Sequence, residues 1–205
     1  MKSIIVLLFS LFLILPCNGQ TDIVKSNSKI GITFSLPWIN YYHYVDYYHN
    51  KTNKAFGFFG LGISAYYKNE YGKFSFNVST TDDLASPVST NSYSQKDSRT
   101  NIGCSYFELI FHRAIRDDIN LVTGFNFTNY NFHFESKSDS ILSYKKVDQT
   151  LGFSIGLEYR FNKYYSFAAM YRPAIASFET DAKYRHLINF ELRIDLDLIK
   201  RKQMI

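Results

Sequence analysis

The sequence predicts an all-β fold, an eight-stranded antiparallel up-and-down transmembrane β-barrel. Three observations lead there. Apolar residues recur at every second position over long stretches, a period that puts successive side chains on opposite faces of a strand. Short and long connections alternate strictly between those stretches, which gathers the long ones at one end. The faces opposite the apolar ones are dominated by Gly, Ser, Thr and Asn, with a few charges and no lysine, as the cramped interior of a narrow cylinder demands.

The pattern is clearest over 147–172. Leu151, Phe153, Ile155, Leu157, Tyr159 and Phe161 alternate with Gly152, Ser154, Gly156, Glu158 and Arg160. After a turn at Asn162-Lys163, Tyr165, Phe167, Ala169 and Tyr171 alternate with Ser166, Ala168, Met170 and Arg172. A helix here carries two interior glycines, each costing ~1 kcal/mol against alanine, so a β-hairpin is predicted.

Taken in order, strand one falls near 29–36, with Ile30, Ile32, Phe34 and Leu36 opposite Gly31, Thr33 and Ser35. An aromatic loop comes next, from Pro37 to Lys54. Strand two spans about 56–67, and a tight turn at 69–72 leads to strand three, with Phe74, Phe76 and Val78 on its apolar face. Residues 80–101 are rich in Ser, Thr, Asp and Asn and form a long loop. Strand four covers about 102–112, and a turn at 116–118 joins it to strand five. There Leu121, Thr123, Phe125 and Phe127 share a face; beyond Tyr130 the parity slips, since Tyr130, Phe132 and Phe134 fall on the other side, which a β-bulge or the strand's emergence from its neighbours explains. A polar loop at 135–147 precedes the hairpin, strands six and seven. A last loop at 173–185 leads to strand eight, where Ile188, Phe190, Leu192, Ile194, Leu196 and Leu198 oppose Asn189, Glu191, Arg193, Asp195 and Asp197.

Composition narrows the class. Aromatic content is 18%, with 19 Phe and 17 Tyr, which favours strands. The net charge is +5, but Lys2 and the Lys200-Arg201-Lys202 tail carry much of it, and no basic patch suits a nucleic-acid backbone. Residues 1–19 read as a signal peptide: Lys2, an apolar run from Ile4 to Leu15, then Cys17-Asn18-Gly19 before Gln20. A second reading lipidates Cys17, against which Pro16 counts. Residues 20–28 are a polar lead-in, 29–199 the barrel and 200–205 a basic tail. Without the leader, Cys104 is the one certain cysteine, so no internal disulfide is expected.

Two barrels compete over which face looks outward. A lipocalin-like barrel encloses its apolar face and shows water a lysine-rich one; a membrane barrel inverts this. Small lumen-facing residues, lysine-free strands and tyrosines around the short turns (Tyr66, Tyr67, Tyr71, Tyr159, Tyr164, Tyr165) favour the membrane barrel. On this pattern the chain resembles the small eight-stranded outer-membrane β-barrels, such as the outer-membrane protein A transmembrane domain and its relatives. The resemblance spans residues 29–199 and implies the cell outer membrane, with outer-membrane lipids around the barrel. One departure is the end of the last strand, Leu198-Ile199 and then Lys200 to Ile205, where the family ends on an aromatic residue.

The candidate sites come from this placement. Glu108, Glu158, Arg160, Arg172, Glu191, Arg193, Asp195 and Asp197 point into the lumen and must pair or stay hydrated. They form a salt-bridged plug or line a narrow ion path; eight strands leave little interior beyond side chains, which favours the plug. Trp38, Tyr41, Tyr42, Tyr44, Tyr47 and Tyr48 in the 37–54 loop, with His43 and His49, offer a contact surface for an extracellular protein or glycan. Lipid acyl hydrolases and transferases among barrels of this kind need a serine activated by a histidine and an acid. His133, Glu135, Ser136 and His186 are candidates, but the His-x-Ser arrangement of barrel lipases is not met, since Glu135 and Ile188 stand where serine is required. No His/Cys/Asp/Glu set has metal-ligand spacing, and no cofactor is implied. The sequence therefore points to a monomeric, non-enzymatic surface barrel, structural or adhesive, displaying four external loops. A narrow pore is the alternative and a lipid-acting barrel enzyme the third reading.

Overall fold

The structure, a computed structural model, describes residues 28–45, 52–82, 98–136, 144–178 and 185–201. One antiparallel sheet contains β1 (Ser28–Val45), β2 (Thr52–Phe58), β3 (Gly60–Asn69), β4 (Gly72–Asp82), β5 (Ser98–Ala114), β6 (Ile119–Ser136), β7 (Tyr144–Arg160), β8 (Tyr165–Ser177) and β9 (His186–Arg201). β1 pairs with β9 from Ser28 opposite Arg201 to His43 opposite His186, which closes the sheet on itself. β2 and β3 both lie against β1 and form one stave broken at Phe59. The result is the closed eight-staved barrel that the alternation predicts.

Large apolar side chains stand outward around the wall. Leu61 is 71% exposed and Phe125 56%, an arrangement that inverts a water-soluble core. Inside lie Thr33, Ser64, Ser75, Asn77, Asn126 and Ser154, all buried. At Gly31 the lumen is so narrow that a Cβ would collide with the Tyr66 ring and the Leu196 carbonyl.

Two of the short turns use the same device. The Asn69 carboxamide oxygen accepts from the Tyr71 and Gly72 amides at 2.9 and 3.2 Å, and that of Asn162 accepts from Tyr164 and Tyr165 at 2.8 and 3.0 Å. Asparagine suits the role because its side chain substitutes for a backbone acceptor. Gly72, at φ 151°, occupies a conformation that side-chain-bearing residues avoid. The middle turn closes through Ile115 N–H donating to the Ile119 carbonyl at 2.9 Å. All three turns lie at the end where Ser28 pairs with Arg201, so the connections 46–51, 83–97, 137–143 and 179–184 leave from the opposite rim.

Several expectations need correction. The strands are longer than predicted, and the extra residues lie mainly at the long-connection rim. Hydrophobic alternation marks only the belt, about 9–11 residues per strand, whereas backbone pairing continues beyond it. The stretch 37–45 is therefore strand, not loop, and Trp38, Tyr41, Tyr42 and Tyr44 belong to β1. A register shift between Pro37 and Ile39 turns Trp38 and Ile39 both outward and reverses the parity of the remainder of β1. Asn40, Tyr42 and Tyr44 consequently point into the lumen. Opposite this shift, Phe59 takes a left-handed φ of 67°, and its N–H donates to the Trp38 carbonyl at 3.0 Å. No slip occurs at Tyr130: β6 pairs in unbroken register with both neighbours, and Tyr130 and Phe132 are lumenal because the lumen itself becomes apolar there. Tyr66 also points inward and leaves the turn-end tyrosine set. Lysine does enter the lumen, since Lys73 is buried. β9 runs on to Arg201, so Lys200 and Arg201 belong to the sheet. Residues 1–27 with Cys17, residues 202–205, and Tyr47, Tyr48 and His49 lie outside the described residues.

Candidate functional site in the barrel lumen

Alternation sends every second residue of each strand inward, and the charged ones converge. Arg172 on β8 is at the centre, 1% exposed. Its Nε donates to Glu108 Oε1 at 2.6 Å, and its Nη2 donates to Glu108 Oε2 at 2.9 Å and to Glu191 Oε1 at 2.8 Å. Nη1 donates to Asn189 Oδ1, and the guanidinium lies 4.4 Å from the centroid of the Tyr106 ring. This two-pronged grip on Glu108 uses the planar fork that lysine lacks. Glu108 also accepts from Asn77 Nδ2 at 2.8 Å and from the Ser154 hydroxyl, so a buried carboxylate has its lone pairs occupied.

Towards the short-turn end the chain of charges continues. Arg193 donates to Glu191 Oε2 at 2.7 and 3.0 Å and to Glu158 Oε2 at 3.2 Å. Glu158 faces His112 Nδ1 at 2.6 Å and accepts from Asn120 Nδ2 at 3.3 Å. Lys73 reaches Asp195 at 2.9 Å and stands 4.0 Å from Glu158. Arg172, Arg193 and Lys73 thus face Glu108, Glu158, Glu191 and Asp195, and a proton on His112 would bring the charges level.

Of the eight lumenal charges predicted from the sequence, Glu108, Glu158, Arg172, Glu191 and Arg193 form this network. Asp195 joins it through Lys73. Asp197 sits at the rim, where it binds Lys29 at 2.9 Å and accepts from the Tyr66 hydroxyl at 2.7 Å. Arg160 is peripheral too and donates to Asn120 Oδ1 at 3.2 Å. Lys73 and His112 escape the sequence reading, although each continues a lumenal row: Lys73 precedes Ser75 and Asn77, and His112 comes after Glu108 and Ile110. Beside Lys73, His112 and Arg193 a cavity of about 10 Å³ remains, room for one water.

At the long-connection rim the filling changes. Tyr42, Tyr44, Ala55, Ile102, Cys104, Tyr106, Tyr130, Phe132 and Leu187 form one buried apolar cluster. Tyr44 and Phe132 lie with ring centroids 5.3 Å apart, and the Tyr42 hydroxyl donates to Thr81 Oγ1 at 2.7 Å. An ion pair, Arg185 with Asp148, is embedded here, its guanidinium 5.3 Å from the Phe132 ring.

The four described residues of the predicted contact surface do not share a face. Tyr42 and Tyr44 are wholly or almost wholly buried in the lumen, and Trp38 and Tyr41 face outward on the wall. The candidate histidines also separate. His133 and His186 face outward on β6 and β9, and the side chains of Glu135 and Ser136 lie outside the described ones. His186 stacks on His43, with ring centroids 4.5 Å apart and planes 12° from parallel.

The chain is similar in fold to solved structures that share little of its sequence. The attachment invasion locus protein Ail of Yersinia pestis is 13% identical, with a TM-score of 0.54 over 84% of this chain and all of that one. The N-terminal β-barrel domain of Pseudomonas aeruginosa OprF is 10% identical, with a TM-score of 0.51 over 82% of this chain and 99% of that one. Neisserial surface protein A is 10% identical, with a TM-score of 0.50 over 83% of this chain and 99% of that one. These are small eight-stranded outer-membrane β-barrels, and this chain has their fold. No family model matches the chain, and no curated protein matches its sequence.

Proposed function

We propose that the chain is an outer-membrane protein that works as a display scaffold: a barrel anchored by its apolar wall, sealed inside, and presenting four long connections at one rim. The observation that carries this reading is the seal. The Arg172 guanidinium closes the lumen by binding Glu108 and Glu191 while lying on Tyr106, and the apolar cluster above it fills the section nearest the long connections. A conduit needs a continuous wet path, whereas desolvated ions held in this geometry are costly to separate. An adhesive rather than purely structural role belongs to the connections, since the aromatic residues of β1 are committed to lumen and wall. A non-enzymatic role is supported by the cross-strand neighbours of the two histidines, Asn101 and Lys145 beside His133 and His43 and Pro173 beside His186, none of them a serine.

The test is single-channel recording from the purified full chain in planar bilayers. Sealed barrels leave the baseline quiet; discrete, reproducible steps would replace the scaffold with a pore.

A further inference from the structure

The outer face of β1, β2, β8 and β9 combines two features that the lumen does not explain. One is a groove of about 360 Å³ lined by Trp38, Ile39, Phe167, Phe190 and Leu192. It exists because the register shift in β1 turns two consecutive large side chains outward, and Ala169, next to Phe190 in register, leaves a gap in the wall. The other is a basic row at the long-connection rim. His43 pairs in register with Lys54 on one side and with His186 on the other, and all three face outward. Nδ1 of His43 has no hydrogen-bond partner among the described residues. No carboxylate stands on the outward face of these four strands among the described residues.

The spacing of the two features matches a lipid. Tyr165, of the turn-end tyrosines, pairs with Ile194. The eight residue steps from Ile194 to His186 span about 26 Å along the strand, or about 20 Å along the axis at a tilt of ~40°. That is close to the ~25 Å height of an apolar belt, so the basic row falls at headgroup level and the groove below it within the acyl layer. We infer that this face holds one anionic lipid of the outer leaflet, its phosphate on Lys54, His43 and His186 and an acyl chain in the groove. The assignment rests on the membrane reading above and names the lipid chemistry that this part of the wall selects.

Trp38 lines the groove and is the sole tryptophan of the chain, so it reports occupancy directly. The full chain is inserted into phosphatidylcholine vesicles doped with either acyl-brominated phosphatidylglycerol or acyl-brominated phosphatidylcholine, and Trp38 fluorescence is recorded. The brominated anionic lipid should quench at lower mole fraction, by about fivefold for each full positive charge engaged. The variant H43Q/K54Q/H186Q, checked for folding by heat-modifiable gel migration, should be quenched equally by both lipids. Equal quenching in the wild type, or an unchanged preference in the variant, overturns the assignment. Vesicle flotation separates the remaining outcomes. A chain that floats unquenched has its groove covered by a second copy, which overturns the lipid assignment alone. A chain that does not float overturns the membrane reading beneath it.

Discussion

The two halves of the lumen are filled by different physics. Near the short turns, Glu108, Glu158, Arg172, Glu191 and Arg193 are held by directional contacts between ions, each carboxylate bound by several donors. Near the long connections, Tyr44, Ile102, Tyr130, Phe132 and Leu187 fill the space by shape, with Arg185 and Asp148 as an ion pair embedded among them. The difference teaches where a barrel can tolerate change. A buried ion is worth keeping only while its partner is present, so the charged half is unforgiving of single substitutions. An apolar filling accepts any side chain of similar volume.

The comparison breaks most easily at Arg172. Replacing it with Met leaves Glu108 buried without a cation and Glu191 with Arg193 alone, and should lower unfolding stability by ~3–5 kcal/mol. The urea midpoint of the detergent-folded barrel measures this, and adding Glu108→Gln to Arg172→Met should recover much of the loss. A drop no larger than that of an apolar swap would erase the distinction between the halves. In the aromatic half, Phe132→Leu should cost about 1 kcal/mol, inside the ~1.5 kcal/mol range of near-isosteric core changes. The smallest effect belongs to the rim. Lys29→Ala removes a salt bridge whose side chains are 32% and 29% exposed. It should shift the same midpoint by ~1 kcal/mol or less and by nothing detectable at high salt, because water and ions screen an exposed pair.

The same division explains how much is legible in the sequence. Glu108, Glu158, Arg172, Glu191 and Arg193 are readable as lumenal because a charge opposite an apolar face has one place to go. Lys73 and His112 are lost because each stands at the turn-side edge of its strand, just beyond the last apolar residue of the alternation, Phe74 in one and Phe111 in the other. The aromatic half is illegible in principle. Tyr130 and Phe132, read by the rule that apolar means outward, look like a parity slip, although β6 keeps its register throughout. The rule holds only where the lumen is polar. In β1 the true irregularity, at Pro37 and Ile39, hides inside a stretch that looks like a loop, because Tyr, His and Asn there keep no apolar period. Fold and charge network are thus open to inspection, whereas the upper filling requires the register to be known.

The pairing of Ser28 with Arg201 makes the beginning and the end of the sheet neighbours. Closure therefore cannot precede synthesis of the final strand, and the contact that completes the cylinder spans the longest possible stretch of polypeptide. Such long-range pairing is slow to find. Until β9 arrives, two raw edges are open to pairing with any other strand.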